Sequence, residues 1–412
     1  MTDTQVRFAE RYLLDPAINA EPYGYLNALR DHQPVYWSNM HRAWLVTGYD
    51  QVMQCLRDPA VSADRVRPLM DAVPQGARED AERAFGILSS WMVFNDPPQH
   101  RRLRQVFQEQ FAARAVSRYR GFSERATTAM LARRAAPGRT GDLAADIAKP
   151  LPALVFARWL GVPQAHSPSF WYWNARVGDL VLGAAQDEAE YRTSLQSLCS
   201  LEDYLGNLVA ERRAEPKDDL VSAVLAGGRI GDREGGVTEA EFVGMLTQMA
   251  FAGGETTSNL IVNTVLALLQ RPAELAAVRT DPSLVGAAVE EALRLDGPSK
   301  MSIRSAARDF ELDSHEVRAG DRIFLITAAA NRDPSRFPDP DTFDLHRDGS
   351  THLGFGFGAH FCIGAALARL VAGVVVTTLL RDHPGLALGG GGRLNWQLSL
   401  LNRSLTSLPI RY

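Results

Sequence analysis

The stretch Phe355-Gly-Phe-Gly-Ala-His-Phe-Cys-Ile-Gly364 decides how this chain is read. Its three glycines let a backbone come close to a flat ligand. Cys362 stands where a helix opens, with Ala365-Ala-Leu-Ala-Arg369 continuing it. Amides at a helix N-terminus favour negative charge and lower a thiol pKa, which makes Cys362 a candidate thiolate ligand for iron. A lone cysteine is more often a buried structural residue. The glycines, the phenylalanines and the helix start around Cys362 outweigh that alternative.

Upstream, Thr238-Glu-Ala-Glu241 has the pattern of a capping box. From there to Arg271, before Pro272, the periodicity predicts one helix of about thirty-four residues, roughly 50 Å long. Its middle, Ala252-Gly-Gly-Glu-Thr-Thr257, is poor helix sequence. Two glycines cost about 2 kcal/mol relative to alanine, and the threonines can bond back to carbonyls. Close helix packing is one reason to keep small residues here. A groove that opens for oxygen and water is the other.

The flanks read as a helix-dominated fold with small sheets. Pro34–Trp37 and Ala43–Thr47 around Asn39 predict a β-hairpin. Residues Asp96 to Asp281 read as helical, broken at Pro137-Gly138, Gly161-Val-Pro163 and Gly227-Gly228. Strands return from Arg304 to Thr327 with a turn at Gly320-Asp321. A Pro-rich irregular stretch follows, and the tail from Leu394 to Tyr412 alternates like a hairpin. No repeat or linker divides the chain, so one domain over 1–412 is expected.

Composition narrows the function. A net charge of −4 argues against a nucleic-acid binder. Three cysteines, Cys55, Cys199 and Cys362, make neither a disulfide framework nor a zinc site. Neither a signal peptide nor a membrane span is read, so a cytoplasmic protein without membrane contact is expected. His32, His41, His166, His315 and His383 are expected at the surface, and Cys55 and Cys199 as core filler.

The run Phe355-x-x-Gly358-x-x-x-Cys362-x-Gly364 resembles the haem-binding signature of the cytochrome P450 family. The resemblance extends over essentially the whole chain. It implies a mainly α, triangular domain with haem b between the long central helix and the helix after the Cys loop. Cys362 would be the axial iron ligand, with Phe355, Gly358 and Gly364 shaping its loop. Ala252, Gly253, Glu255 and Thr256 match the family's oxygen groove. There Thr256 would hold oxygen and a water, and Glu255 would relay protons. His100, Arg104, Arg304 and His360 match positions that contact the haem propionates. Glu291 and Arg294, joined by Arg347, match a structural core pair without chemistry.

The family resemblance implies a monooxygenase that uses O2, two electrons and two protons to oxidise, most simply to hydroxylate, a small molecule of secondary metabolism. Coupling, desaturation or nitration on the same fold is the alternative, and a haem sensor a further one. No fused flavin domain is read, so a ferredoxin or flavodoxin with its reductase would supply electrons. The pocket is expected from Ser89–Phe94, Phe170–Trp173, Val177–Leu182, Met245, Gln248, Met249, Ala252, Pro298–Ser302, Leu400 and Leu401. Ser299-Lys300 hints at a polar or anionic group on the substrate.

Overall fold

The computed structural model describes residues 8–134, 138–185, 187–231, 235–347, 351–390 and 394–412, without the side chains of residues 79, 80 and 134. The expected hairpin is present. Strands β1 (Val35–Ser38) and β2 (Ala43–Val46) pair antiparallel, with Val35 opposite Val46. They join β3 (Val61–Ser62), β4 (Ser302–Ala306) and β5 (Arg322–Leu325) in a five-stranded sheet ordered β1-β2-β5-β4-β3. The β2–β5 pair is parallel, Trp44 opposite Ile323, so segments far apart in the chain close on each other.

Between those ends the chain is mainly helical. The helices that shape the site are α1 (Gln99–Gln105), α2 (Ser167–Val181), α3 (Glu188–Ala214), α4 (Glu239–Ala252), α5 (Glu255–Leu269), α6 (Val285–Asp296) and α7 (Ala365–Asp382). Gly161 ends a helix in the left-handed conformation, and Gly227 caps another. Of the break expected at Pro137-Gly138, Pro137 lies outside the described residues. The tail makes one antiparallel bridge within itself, Trp396 to Leu405, and another from Asn402 to Ser299, and its last strand pairs with Thr140–Asp142 and Ala387–Leu388.

The capping box forms as expected, with reciprocal bonds between Thr238 and Glu241. The single long helix does not. The helical run stops at Ala252 and restarts at Glu255. Packing and chemistry both explain the interruption. A Cβ on Gly253 would stand 2.2 Å from the Phe156 ring, so the backbone lies directly on that ring. Thr256 Oγ1 donates to the Ala252 carbonyl at 3.2 Å, a local bond that competes with helix continuation. The run also ends at Leu269 rather than Arg271, and turns by 107° into Pro272–Thr280. Helix α5 is buried on every side from Thr257 to Leu268, as befits a helix through the core.

Below α5, the Arg294 side chain of α6 is wholly buried. All of its N–H groups find acceptors: Glu291 Oε2 and Oε1 at 2.8 and 2.7 Å, and the carbonyls of Asn331, Pro340 and Thr342 at 2.7–2.9 Å. Arg347 adds a second cation on Glu291 Oε1 at 3.0 Å, the third member expected from sequence. One expectation fails nearby in the sheet region: His41 is buried, because its ring takes the Leu13 N–H at 3.1 Å and bonds Ser38 Oγ at 2.7 Å.

Two stability measurements test these points. Glu291→Ala strands a buried guanidinium and should lower the unfolding free energy by about 3–5 kcal/mol in denaturant titration; a loss under about 1 kcal/mol would contradict its role. Gly253→Ala should lower the melting temperature despite alanine's better helix propensity, because of the Phe156 contact. Gly254→Ala should leave it equal or higher, since its Cβ would come no nearer than 3.8 Å to Trp171. Equal responses at the two positions would contradict the packing account.

Candidate active site

The Cys loop is fixed by its own backbone. The Cys362 N–H donates to the Phe355 carbonyl at 2.8 Å, and the Phe361 N–H to Gly358 at 3.1 Å. Gly356 and Gly358 have φ of +70° and +69°, which side-chain-bearing residues rarely adopt. At Gly358 a Cβ would also meet the Leu56 carbonyl at 3.1 Å. The Phe355 ring is covered by the Arg369 guanidinium, 4.5 Å from its centroid. Arg369 is held in turn by Glu290 at 2.6 and 2.7 Å, and Glu290 also meets His352.

Cys362 opens into a cavity of about 400 Å³ between the α4–α5 break and the start of α7. From above, Ala252, Gly253, Thr256 and Thr257 line it; from below, Phe355, Cys362, Gly364 and Ala368. Burial pushes the Cys362 thiol up, and the amides of Gly364 and Ala365 with Arg104 and Arg369 pull it down only in part. That corrects the expectation of a lowered thiol pKa. The helix-start amides are present, but away from a metal, desolvation outweighs them.

At one side of the cavity stand His100 and Arg104 of α1, Arg304 of β4 and His360 of the loop. The His100 and His360 rings lie 4.3 Å apart. Burial, with Arg104 beside it, lowers the His100 pKa to about 4. Burial, then Arg304, His100 and Arg104, lower that of His360 to about 3. Both rings are neutral at pH 7. Burial and then Arg65 depress Arg304 to about 10. Arg65 was not anticipated from sequence. It sits in the charged run Asp64-Arg-Val-Arg67, which reads as solvated surface, yet it lines the cavity and donates to the Val181 carbonyl at 3.3 Å. Among the described residues, Arg65, Arg104 and Arg304 form no ion pair. Half-buried guanidiniums without an ion pair among the described residues fit a ligand that brings its own carboxylates, and a cysteine sulfur in the same cavity fits a soft metal ligand. The residues present therefore fit haem.

Other expected residues fall in different places. Glu255 and Gly358 are outside the lining. Glu255 Oε1 accepts from Asn402 Nδ2 at 3.2 Å, and Asn402 does line the cavity. Met92, Val93, Gln248, Met249, Pro298, Ser299, Met301, Ser302 and Leu401 line it as expected. The α2 aromatics do not, because Phe170 and Trp173 pack on Tyr204 of α3. Nor do Met245, buried in the core, and Leu400. Lys300 is also turned away. Its ammonium donates to Asn19 Oδ1 at 2.9 Å and to the Ser399 carbonyl, and burial and Arg403 lower its pKa to about 8. It therefore offers no charge to a substrate. A second cleft, of about 690 Å³ along the Pro-rich stretch, is lined by Arg336–Asp339 and Thr342–Arg347 and lies apart from Cys362.

Comparison with known proteins agrees with this geometry. The family model described as Cytochrome P450 matches residues 191–383. Cytochrome P450 107B1 of Saccharopolyspora erythraea is 38% identical over 90% of this chain and 89% of its own length. The 6-deoxyerythronolide B hydroxylase of the same organism is 35% identical over 90% of each chain. The crystal structure of CalO2 superposes with a TM-score of 0.89 at 31% identity, covering 98% of both chains. With a relative of that identity matched along nearly its whole length, and a sulfur, a broken helix and a cluster of half-buried arginines facing one cavity, the chain belongs to the cytochrome P450 family.

Proposed function

We propose that the cavity holds haem b, with Cys362 on its iron and His100, Arg104, Arg304 and His360 at its propionates, joined by Arg65. One observation carries this reading: arginines without ion pairs surround the same cavity into which a cysteine sulfur opens. When bound, thiolate-ligated iron supplies the activation of O2, since the thiolate pushes electron density toward the metal. The rest falls to the chain. The guanidiniums offer paired, charge-assisted donors to carboxylates, and the two imidazoles offer further N–H groups. The loop amides and the Arg369-covered Phe355 hold the sulfur in one place.

Proton delivery belongs to the helix break. Thr256 lines the cavity, and among the described residues its hydroxyl donates only to the Ala252 carbonyl, so its oxygen can accept from a water. Glu255, the preceding residue, is exposed and reaches the lining through Asn402. Together they form a path from solvent to a fixed hydroxyl, as general acid catalysis requires.

As a cytochrome P450, the chain oxidises a small molecule with electrons from a redox partner. Hydroxylation is the favoured chemistry, supported by the relative named as a hydroxylase. The finer reading is a single cytoplasmic domain over 1–412, served by a ferredoxin or flavodoxin with its reductase. Among the described residues no single helix is long and apolar enough to cross a membrane.

Thr256→Ala tests the assignment. With a surrogate reductase, the variant should accept electrons at the native rate but release several-fold more hydrogen peroxide per electron pair. Unchanged coupling would remove Thr256 from proton delivery.

A further inference from the structure

Two acids stand side by side on α6 and serve different partners. Glu291 neutralises the buried Arg294. Glu290 bonds to the two flanks of the Cys loop instead. Its Oε1 and Oε2 accept from Arg369 Nε and Nη2 at 2.6 and 2.7 Å, the bidentate form of this pair. Oε2 also meets His352 Nε2 at 3.1 Å. His352 Nδ1 accepts the Gly354 N–H at 3.1 Å, which directs the N–H of the other ring nitrogen to the carboxylate. His352 precedes the loop and Arg369 follows it, so one carboxylate holds both ends.

The same carboxylate balances a charge near the sulfur. The Arg369 guanidinium lies on the Phe355 ring, and the Phe355 carbonyl receives the Cys362 N–H at 2.8 Å. Burial raises the Cys362 thiol, and Arg369 is among the cations that draw it back down. Among the described residues, Glu290 is the acid paired with Arg369. A neutral acceptor could fill the hydrogen bonds. It would leave the field of Arg369 unopposed at the sulfur.

We propose that Glu290 is a positioning residue that sets the electron affinity of the haem iron, by holding Arg369 over Phe355 and balancing its charge beside the sulfur. The inference rests on the haem reading given above. One electron from the redox partner turns ferric iron ferrous and adds one negative charge to the sulfur–iron unit, with no bond made or broken. An unbalanced cation at Arg369 favours that gain, and an unbalanced anion at Glu290 opposes it. At an effective dielectric of about 20, a unit charge about 10 Å from a redox centre shifts its equilibrium roughly ten-fold. The Glu290 and Arg369 side chains are 34% and 37% exposed, so screening reduces the effect to several-fold.

The test is the midpoint potential of the haem-loaded protein, read by spectroelectrochemical titration. Glu290→Gln keeps the side-chain shape and leaves Arg369 unbalanced, so its potential should rise by the equivalent of several-fold in the ferric-to-ferrous equilibrium. Arg369→Gln should lower it. The double variant should lie between the two, and Glu290→Asp, which restores the charge, near native. A loop that is merely loosened moves both single variants in the same direction. That result, or single variants within two-fold of native, overturns the inference and leaves the haem reading intact. If Arg369→Gln holds no haem, Glu290→Gln and Glu290→Asp decide: a rise in the first that the second does not share supports the inference, and any other result overturns it. A native chain that takes up no haem overturns both readings.

Discussion

The site depends on one buried guanidinium. Arg294 ties α6 to the carbonyls of Asn331, Pro340 and Thr342, so an irregular stretch of chain is held as firmly as a strand. Glu291 supplies the compensating charge, and Arg347 encloses it from the other side. From that anchor the chain runs on to the Cys loop. Asn331 receives the Leu353 N–H at 2.6 Å, and Gly354 passes so near the Leu293 carbonyl that a Cβ would come within 2.9 Å of it. Cys362 is thus positioned by a polar interior rather than by regular secondary structure. A lysine at 294 would carry the charge but not the fork of donors that reaches all these acceptors.

Above the sulfur the fold gives up regularity in another way. A helix through the core is interrupted where the cavity needs space, and the loss is offset by packing Gly253 onto Phe156. At the side, arginines and histidines are brought together, and among the described residues Arg65, Arg104 and Arg304 form no ion pair. Each arrangement is unfavourable in isolation. A thiol is raised by burial, imidazoles are held neutral, and guanidiniums are crowded together. A flat ligand carrying a metal on its face and carboxylates on its edge relieves them together. Cofactor binding is therefore expected to contribute strongly to the stability of this region.

Much of this was legible in the sequence because it is local. The turn conformations at Gly356 and Gly358, the capping box at Thr238 and the hairpin at Asn39 are each encoded within a few residues. The Gly-Gly weakness in the central helix was legible too. Its outcome was not, because apolar periodicity carries across the break and only Phe156, about a hundred positions away, decides that the helix opens. The errors share that cause. Lys300 faces away from the cavity because Asn19 receives its ammonium, His41 is buried because Leu13 and Ser38 satisfy its ring, and Arg65 enters the cavity from a segment that looks solvated. The glutamine at 248 could be named as pocket-lining, but only the fold shows that its oxygen has no partner among the described residues.

The most direct measurement is the absorption spectrum of the reduced carbon-monoxide complex of protein reconstituted with haemin, beside the same complex of Cys362→His. A band well to the red of that given by histidine-ligated haem in the native chain, and its return to the histidine position in the variant, is the predicted result. A native band already at the histidine position, or one that the substitution does not move, would show that the sulfur does not bind the iron.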